Sequence, residues 1–194
     1  MKKSHITRNC VFLFLAFITL SCYQQKTSEQ ANPTSVSLSL EEIKPGLLKG
    51  YLKKSEFPNS LALLPPPPEE GSIAWQLDQE KAAYYVALKD SARTQLAAQD
   101  AVLAFPAALK AFNSILPKKI SEENTPNAYL LMRRTLTDLG LSTYAAKDHY
   151  KRPRPFMIND TPICTPEDEE ALRGDGSYPS GHTAIGWGCI WDTT

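Results

Sequence analysis

The 194-residue sequence is short of the residues that build several common kinds of site. It has four cysteines and three histidines. Its longest apolar run, Val11 to Leu20, is half the roughly 20 residues that a membrane-spanning helix needs. Cys10 and Cys22 lie just before and just after that run, which leaves Cys164 and Cys189 for the remaining chain. No histidine pair accompanies them, so there is no zinc signature. In an oxidising compartment the two could pair. Neither sign of charge dominates: 21 basic residues face 21 acidic ones, a balance that argues against a nucleic-acid partner. Alternation of Val, Ile and Thr over strand lengths is nearly absent, and no internal repeat is visible. The expectation is an all-α domain with a sizeable core.

What is present begins with an export-like segment. Lys2, Lys3 and Arg8 precede the apolar run, and no acid occurs in residues 1–21. Without these residues, 18 basic residues stand against 21 acidic ones, a net charge of −3. A basic start followed by a short apolar run reads as a signal peptide. Residues 1–21 are therefore assigned to a signal, and the protein is expected in the periplasm or outside the cell. The sequence Thr19-Leu20-Ser21-Cys22 resembles a lipoprotein cleavage site, with Thr19 where Leu is usual. Two readings stand: lipid attachment at Cys22, or ordinary cleavage nearby. Residues 22–40 are polar and aperiodic and read as a tether. The domain is expected to occupy 41–194.

Within the domain, Glu41–Lys54 reads as a short helix interrupted by Pro45-Gly46. Leu61 to Leu64 run into four prolines, Pro65 to Pro68, which enforce an extended segment. The apolar residues before them suggest a strap packed on the domain. Asp78–Ala104 is rich in helix formers, lacks Gly and Pro, and has Asp78 as a candidate cap. Ala107–Leu116 reads as a second helix and Asn124–Tyr150 as a third, with Pro126 in its first turn. On the third, Met132, Leu136, Leu139, Thr143 and Lys147 share one face. An inward ammonium is costly unless it is paired. Either an anion meets Lys147, or its stem packs and its head reaches solvent. Position alone leaves these readings level.

The neighbouring residues decide between them. Lys147, Lys151, Arg152 and Arg154 cluster within eight residues, and Pro153 and Pro155 bracket Arg154. A guanidinium on so rigid a turn suits two-pronged bonding to phosphate oxygens, and Lys147 would add a point charge. Further on, Pro179-Ser180-Gly181-His182 precedes the apolar stretch Thr183 to Trp187, so a helix is expected to start there. Helix starts attract anions through free N–H groups and the dipole. Ser180 offers a hydroxyl, Gly181 an unobstructed N–H, and His182 a proton for an ester oxygen.

These residues resemble a known family. Lys147-x6-Arg154-Pro155 followed by Pro179-Ser180-Gly181-His182 is similar to the phosphatidic-acid-phosphatase type 2 superfamily. Ser60 to Pro68, Ala146 to Phe156 and Gly176 to Trp187 resemble its bacterial class A non-specific acid phosphatases. The resemblance extends over roughly residues 45–188. It implies a helical, secreted enzyme that hydrolyses small phosphate monoesters without metal or other cofactor. In that family Lys147, Arg154, Ser180 and Gly181 would bind phosphate, and His182 would be the general acid. A third motif, Ser-Arg-x5-His-x3-Asp, would supply another arginine, the histidine nucleophile and its orienting acid. The nucleophile forms a phosphohistidine that water hydrolyses.

No such third motif follows His182 in these 194 residues. The expectation is thus a C-terminally incomplete domain with exposed apolar stripes and little activity of its own. Gly188 to Thr194 do not read as a continuing amphipathic helix. His149 is about 200° around the helix from Lys147 and should face away from the site. Membrane contact is expected only through a lipid at Cys22, and self-association into a homo-oligomer stays open. Two alternatives are an inactive lipoprotein with residual phosphate binding and an enzyme like the vanadium haloperoxidases, whose vanadate occupies a phosphate-like site. Membrane-spanning lipid phosphatases of the superfamily do not fit the short apolar run.

Overall fold

The computed structural model describes residues 40–191. The signal-like segment, Cys22 and the tether up to residue 39 lie outside those residues. The described chain is mostly helical, with a single two-stranded sheet. It begins with strands β1 (Glu42–Lys44) and β2 (Leu47–Leu48), paired antiparallel. The expected Glu41–Lys54 helix is therefore corrected to a hairpin. Pro45 cannot donate a helical hydrogen bond, and Gly46 takes φ +75°, as the third residue of a type II turn requires.

A strap helix, α1 (Ser60–Leu63), follows, capped by the Asn59 side chain. Next come α2 (Ile73–Ala87) and α3 (Ala92–Asp100). The sequence reading made these one helix starting at Asp78. Instead Ser72 caps α2 by accepting from Trp75 N–H at 3.2 Å. Asp90 adopts φ +64°, and Ser91 caps α3 by accepting from Thr94 N–H at 3.3 Å. Local capping outweighs a run of good helix formers. The short α4 (Leu109–Asn113) lies inside the expected Ala107–Leu116.

The expected third helix is divided into α5 (Pro126–Leu141) and α6 (Tyr144–Tyr150). The break has a visible cause. Ser142 Oγ donates to Leu139 O and Thr143 Oγ1 to Gly140 O, both at 2.7 Å. Such back-bonding competes with the helical ladder. The chain ends its described part with α7 (Pro155–Asn159), α8 (Glu169–Arg173) and α9 (Gly181–Trp191). Contrary to the sequence reading, α9 continues as helix through Gly188 to Trp191.

The core lies where α5 and α9 pack on the α4 region. Met132 and Leu136 of α5 are each only 1% exposed and meet Ile185 and Cys189 of α9. Burying a side chain of this size stabilises by about 1.5–3 kcal/mol. Phe105 and Tyr129 close one end edge to face, with centroids 5.4 Å apart. Cys189 is buried in this core, whereas Cys164 is exposed.

A second face of α5 holds the N-terminal hairpin. Thr137 Oγ1 donates to Leu48 O at 2.7 Å. Arg134 donates to Lys49 O and Gly50 O and stacks on the Tyr51 ring, 3.8 Å from its centroid. The buried Asp138 carboxylate accepts from Tyr51 N–H at 2.7 Å and Leu52 N–H at 3.3 Å. Positions i, i+3 and i+4 of one helix thus clamp five consecutive residues, Leu48 to Leu52. Among the described residues, no helix is long and apolar enough to cross a membrane.

Candidate phosphate site

The continuous stripe on the third helix survives its division. Met132, Leu136, Thr143 and Lys147 are all buried, and Leu139 is half-buried. Lys147 is only 5% exposed, so it does not reach out to solvent. Two residues on, His149 is exposed, as its helical angle requires. Helix α6 stops at Lys151, which adopts φ +44° and donates its N–H to Lys147 O. Arg154 is extended (φ −76°, ψ 151°) because Pro155 follows it and opens α7.

The two cations singled out by the sequence converge. Arg154 donates through Nε to Leu172 O and Asp175 O, both at 3.0 Å, and through Nη2 to Asp175 Oδ2 at 2.7 Å. Lys147 Nζ lies 3.6 Å from the same Oδ2 and donates to Gly176 O. The turn 172–176 therefore lies across both side chains. Gly176 permits this: a Cβ there would stand 3.0 Å from Lys147 O. Ser177 locks the turn by donating N–H to Arg152 O and Oγ to Pro153 O, each at 2.9 Å. Of the other two cations, Arg152 pairs with Asp78 of α2 at 2.8 Å and Lys151 is exposed.

The proline-rich strap packs against this region. Ser60 Oγ accepts from Ala146 N–H of α6 at 3.1 Å, and Tyr178 donates its hydroxyl to Pro65 O at 2.8 Å. The strap thus touches both the cation-bearing helix and the segment leading into Pro179.

Ser180 caps α9 by accepting from Thr183 N–H at 3.2 Å through Oγ. Nothing lies within 4 Å of where a Gly181 side chain would begin, so the helix start is open on that side. His182 is exposed, with Nε2 3.3 Å from Ala101 O. A carbonyl oxygen can only accept, so Nε2 carries the proton in this contact. Ser180 and His182 thus bond within the α9 start and to the chain after α3.

Burial pushes the Lys147 ammonium below its ordinary 10.5, and the Arg154 charge adds to that. Asp175 opposes the fall through its charge and hydrogen bonding, as does the Asp148 charge. Tyr144, one turn earlier on α6, is pushed above its ordinary 10.0 by burial first, then by the charges of Asp175 and Asp148, with Arg154 opposing.

The PAP2 superfamily pattern matches residues 128–191, which hold the buried stripe, both cations and the start of α9. Residues 128–191 thus carry a PAP2 superfamily domain. Relatives extend the PAP2 match. A non-specific acid phosphatase of Providencia stuartii is 43% identical over 138 residues, covering 71% of this chain and 56% of that protein. One of Salmonella typhimurium is 39% identical over 132 residues, covering 68% and 53%. An acid phosphatase of Zymomonas mobilis is 39% identical over 127 residues, covering 66% and 48%. The chain spans about half the length of the curated relatives it matches.

Within this PAP2 domain, the sequence reading missed Asp175, on which both cations converge. Its signal was weak: a lone acid between Gly174 and Gly176, just ahead of Ser177 to His182.

Proposed function

We propose that the protein is an acid phosphatase acting on small phosphate monoesters. Lys147 and Arg154 hold the phosphate oxygens, Ser180 and the Gly181 N–H complete the cradle, and His182 is the general acid. The observation that carries this reading is the meeting of Lys147 and Arg154 at one anionic oxygen, Asp175 Oδ2. Arg154 keeps its Nη1 hydrogens and one Nη2 hydrogen for a ligand, since the described bonds use only Nε and the other Nη2 hydrogen. A planar guanidinium with spare parallel donors suits a tetrahedral phosphate group. A proton on His182 Nε2 suits release of the alcohol, because the departing oxygen must be protonated as its bond to phosphorus breaks. The relatives are acid phosphatases, which favours phosphate ester hydrolysis over haloperoxidase chemistry. In this reading His149 is not the attacking nucleophile. His149 is exposed, on the far side of α6 from Lys147.

The test is a chimera in which residues 45–188 replace the corresponding part of the Providencia stuartii relative. It should hydrolyse a chromogenic phosphate monoester at about pH 5.5. Arg154→Ala or His182→Ala in the chimera should each lower turnover by about 100-fold or more, with helical circular dichroism unchanged. A folded chimera without turnover, or one indifferent to both substitutions, would sink the proposal.

A further inference from the structure

We propose that Asp175 is a positioning residue of the phosphate site, an inference that rests on the phosphatase reading above. Its carboxylate holds Arg154 and Lys147 in the pose that presents their remaining donors to an incoming phosphate. Three of the acceptors on Arg154 belong to the turn 172–175, and two of these are the carbonyl and the carboxylate of Asp175 itself. All three engage the Nε–Nη2 edge, so the plane of the guanidinium is fixed and its Nη1 end is left unused. A long side chain otherwise loses rotamer freedom only when the ligand arrives, which weakens binding.

The second function of the carboxylate is electrostatic. Lys147 and Arg154 repel each other when no phosphate is present, and Asp175 Oδ2 stands between them, 3.6 and 2.7 Å away. The groups facing Lys147 are Asp175, Arg154 and Asp148. Asp175 and Asp148 favour its charged form, whereas burial and Arg154 disfavour it. Asp175 is poorly placed to act instead as a swinging competitor for phosphate. Its own carbonyl is tied to Arg154 Nε, Gly176 O to Lys147 Nζ, and Ser177 to the chain at Arg152 and Pro153.

The experiment titrates inorganic phosphate into the 194-residue chain, followed by phosphorus NMR at constant ionic strength over a pH series. The wild type, Arg154→Ala, Asp175→Asn and Asp175→Glu chains are compared. The wild type should bind and Arg154→Ala should not. Asp175→Asn should weaken binding about tenfold, the scale of one charge-assisted hydrogen bond. Its binding should also fail at lower pH on the alkaline side, because Lys147 has lost a carboxylate that favours its charged form. Asp175→Glu keeps the charge and should retain the wild-type alkaline limit. Equal or tighter phosphate binding by Asp175→Asn, with an unmoved alkaline limit, overturns the proposal while leaving the phosphate site intact. A wild type that does not bind, or an Arg154→Ala chain that binds equally, overturns the site reading and this proposal with it. If Asp175→Asn loses its helical circular dichroism, Asp175→Glu decides: a lowered alkaline limit, or tighter binding, counts against the positioning role.

Discussion

Lys147 buries an ammonium at the end of an apolar stripe, and the chemistry of the site follows from how that charge is accommodated. Burial is the largest influence on it and lowers its pKa below 10.5. Between the folded value and 10.5, the unfolded chain holds the Lys147 proton more often than the folded chain. Stability from this residue therefore rises with pH across that window, and is flat below the folded value and above 10.5. Lys147→Met keeps the stem and removes the charge, so it should remove that rise. Urea unfolding of both chains between pH 8 and about 10.5 checks this, because other titrating groups cancel in the difference. A stability difference between the two chains that stays constant over that range would contradict the assignment. Arg154 differs from Lys147 in having its orientation fixed by backbone and carboxylate oxygens together, a set of bonds that the single nitrogen of a lysine cannot reproduce in the same plane.

At the scale of elements, α5 is the organising helix: one face makes the core and another clamps the chain from Leu48 to Leu52. Asp138 is the centre of that clamp. Its carboxylate is buried and accepts two backbone N–H groups. Asp138→Ala leaves both donors unpaired and should cost about 3 kcal/mol, whereas Asp138→Asn keeps one acceptor and should cost about half as much. Urea unfolding measures both; a cost under about 0.5 kcal/mol for the alanine variant would mean that the clamp contributes nothing.

The legibility of these elements in the sequence varied with the range of the interactions that set them. Pro126 marked a helix start, and the stripe from Met132 to Lys147 placed the ammonium inward, because both depend only on residues a turn apart. The Pro45-Gly46 hairpin was misread because the short segment gains its stability from Thr137, Arg134 and Asp138, nearly 90 residues away. The breaks at Asp90-Ser91 and Ser142-Thr143 were concealed by good helix formers on either side. Each break depends on a hydroxyl capping or back-bonding, a local choice that helix propensity does not include. Asp175 was missed for a related reason. An acid between glycines reads as a turn former, and its contacts with Lys147 and Arg154 span 28 and 21 residues.

For the whole molecule, the strap, the cation-bearing helix, the turn 172–176 and the start of α9 form one connected set. The contacts that join them are Ser60 to Ala146, Gly176 to Lys147, and Tyr178 to Pro65 three residues before α9 begins, while His182 of α9 meets Ala101 O after α3. Apolar side chains also lie exposed on the described surface, notably Ile73, Leu77 and Tyr84 of α2 and Trp187 of α9. The central claim is that Lys147, Arg154 and the start of α9 bind one phosphate together. Nitrogen-resolved NMR of the chain during a titration with inorganic phosphate tests it most directly, with chloride at equal ionic strength as the control. The side-chain signals of Lys147 and Arg154, the Gly181 amide and the His182 ring should shift together along one saturating curve, and chloride should leave them in place. Saturating shifts confined to other residues, or shifts that chloride reproduces, would contradict the account.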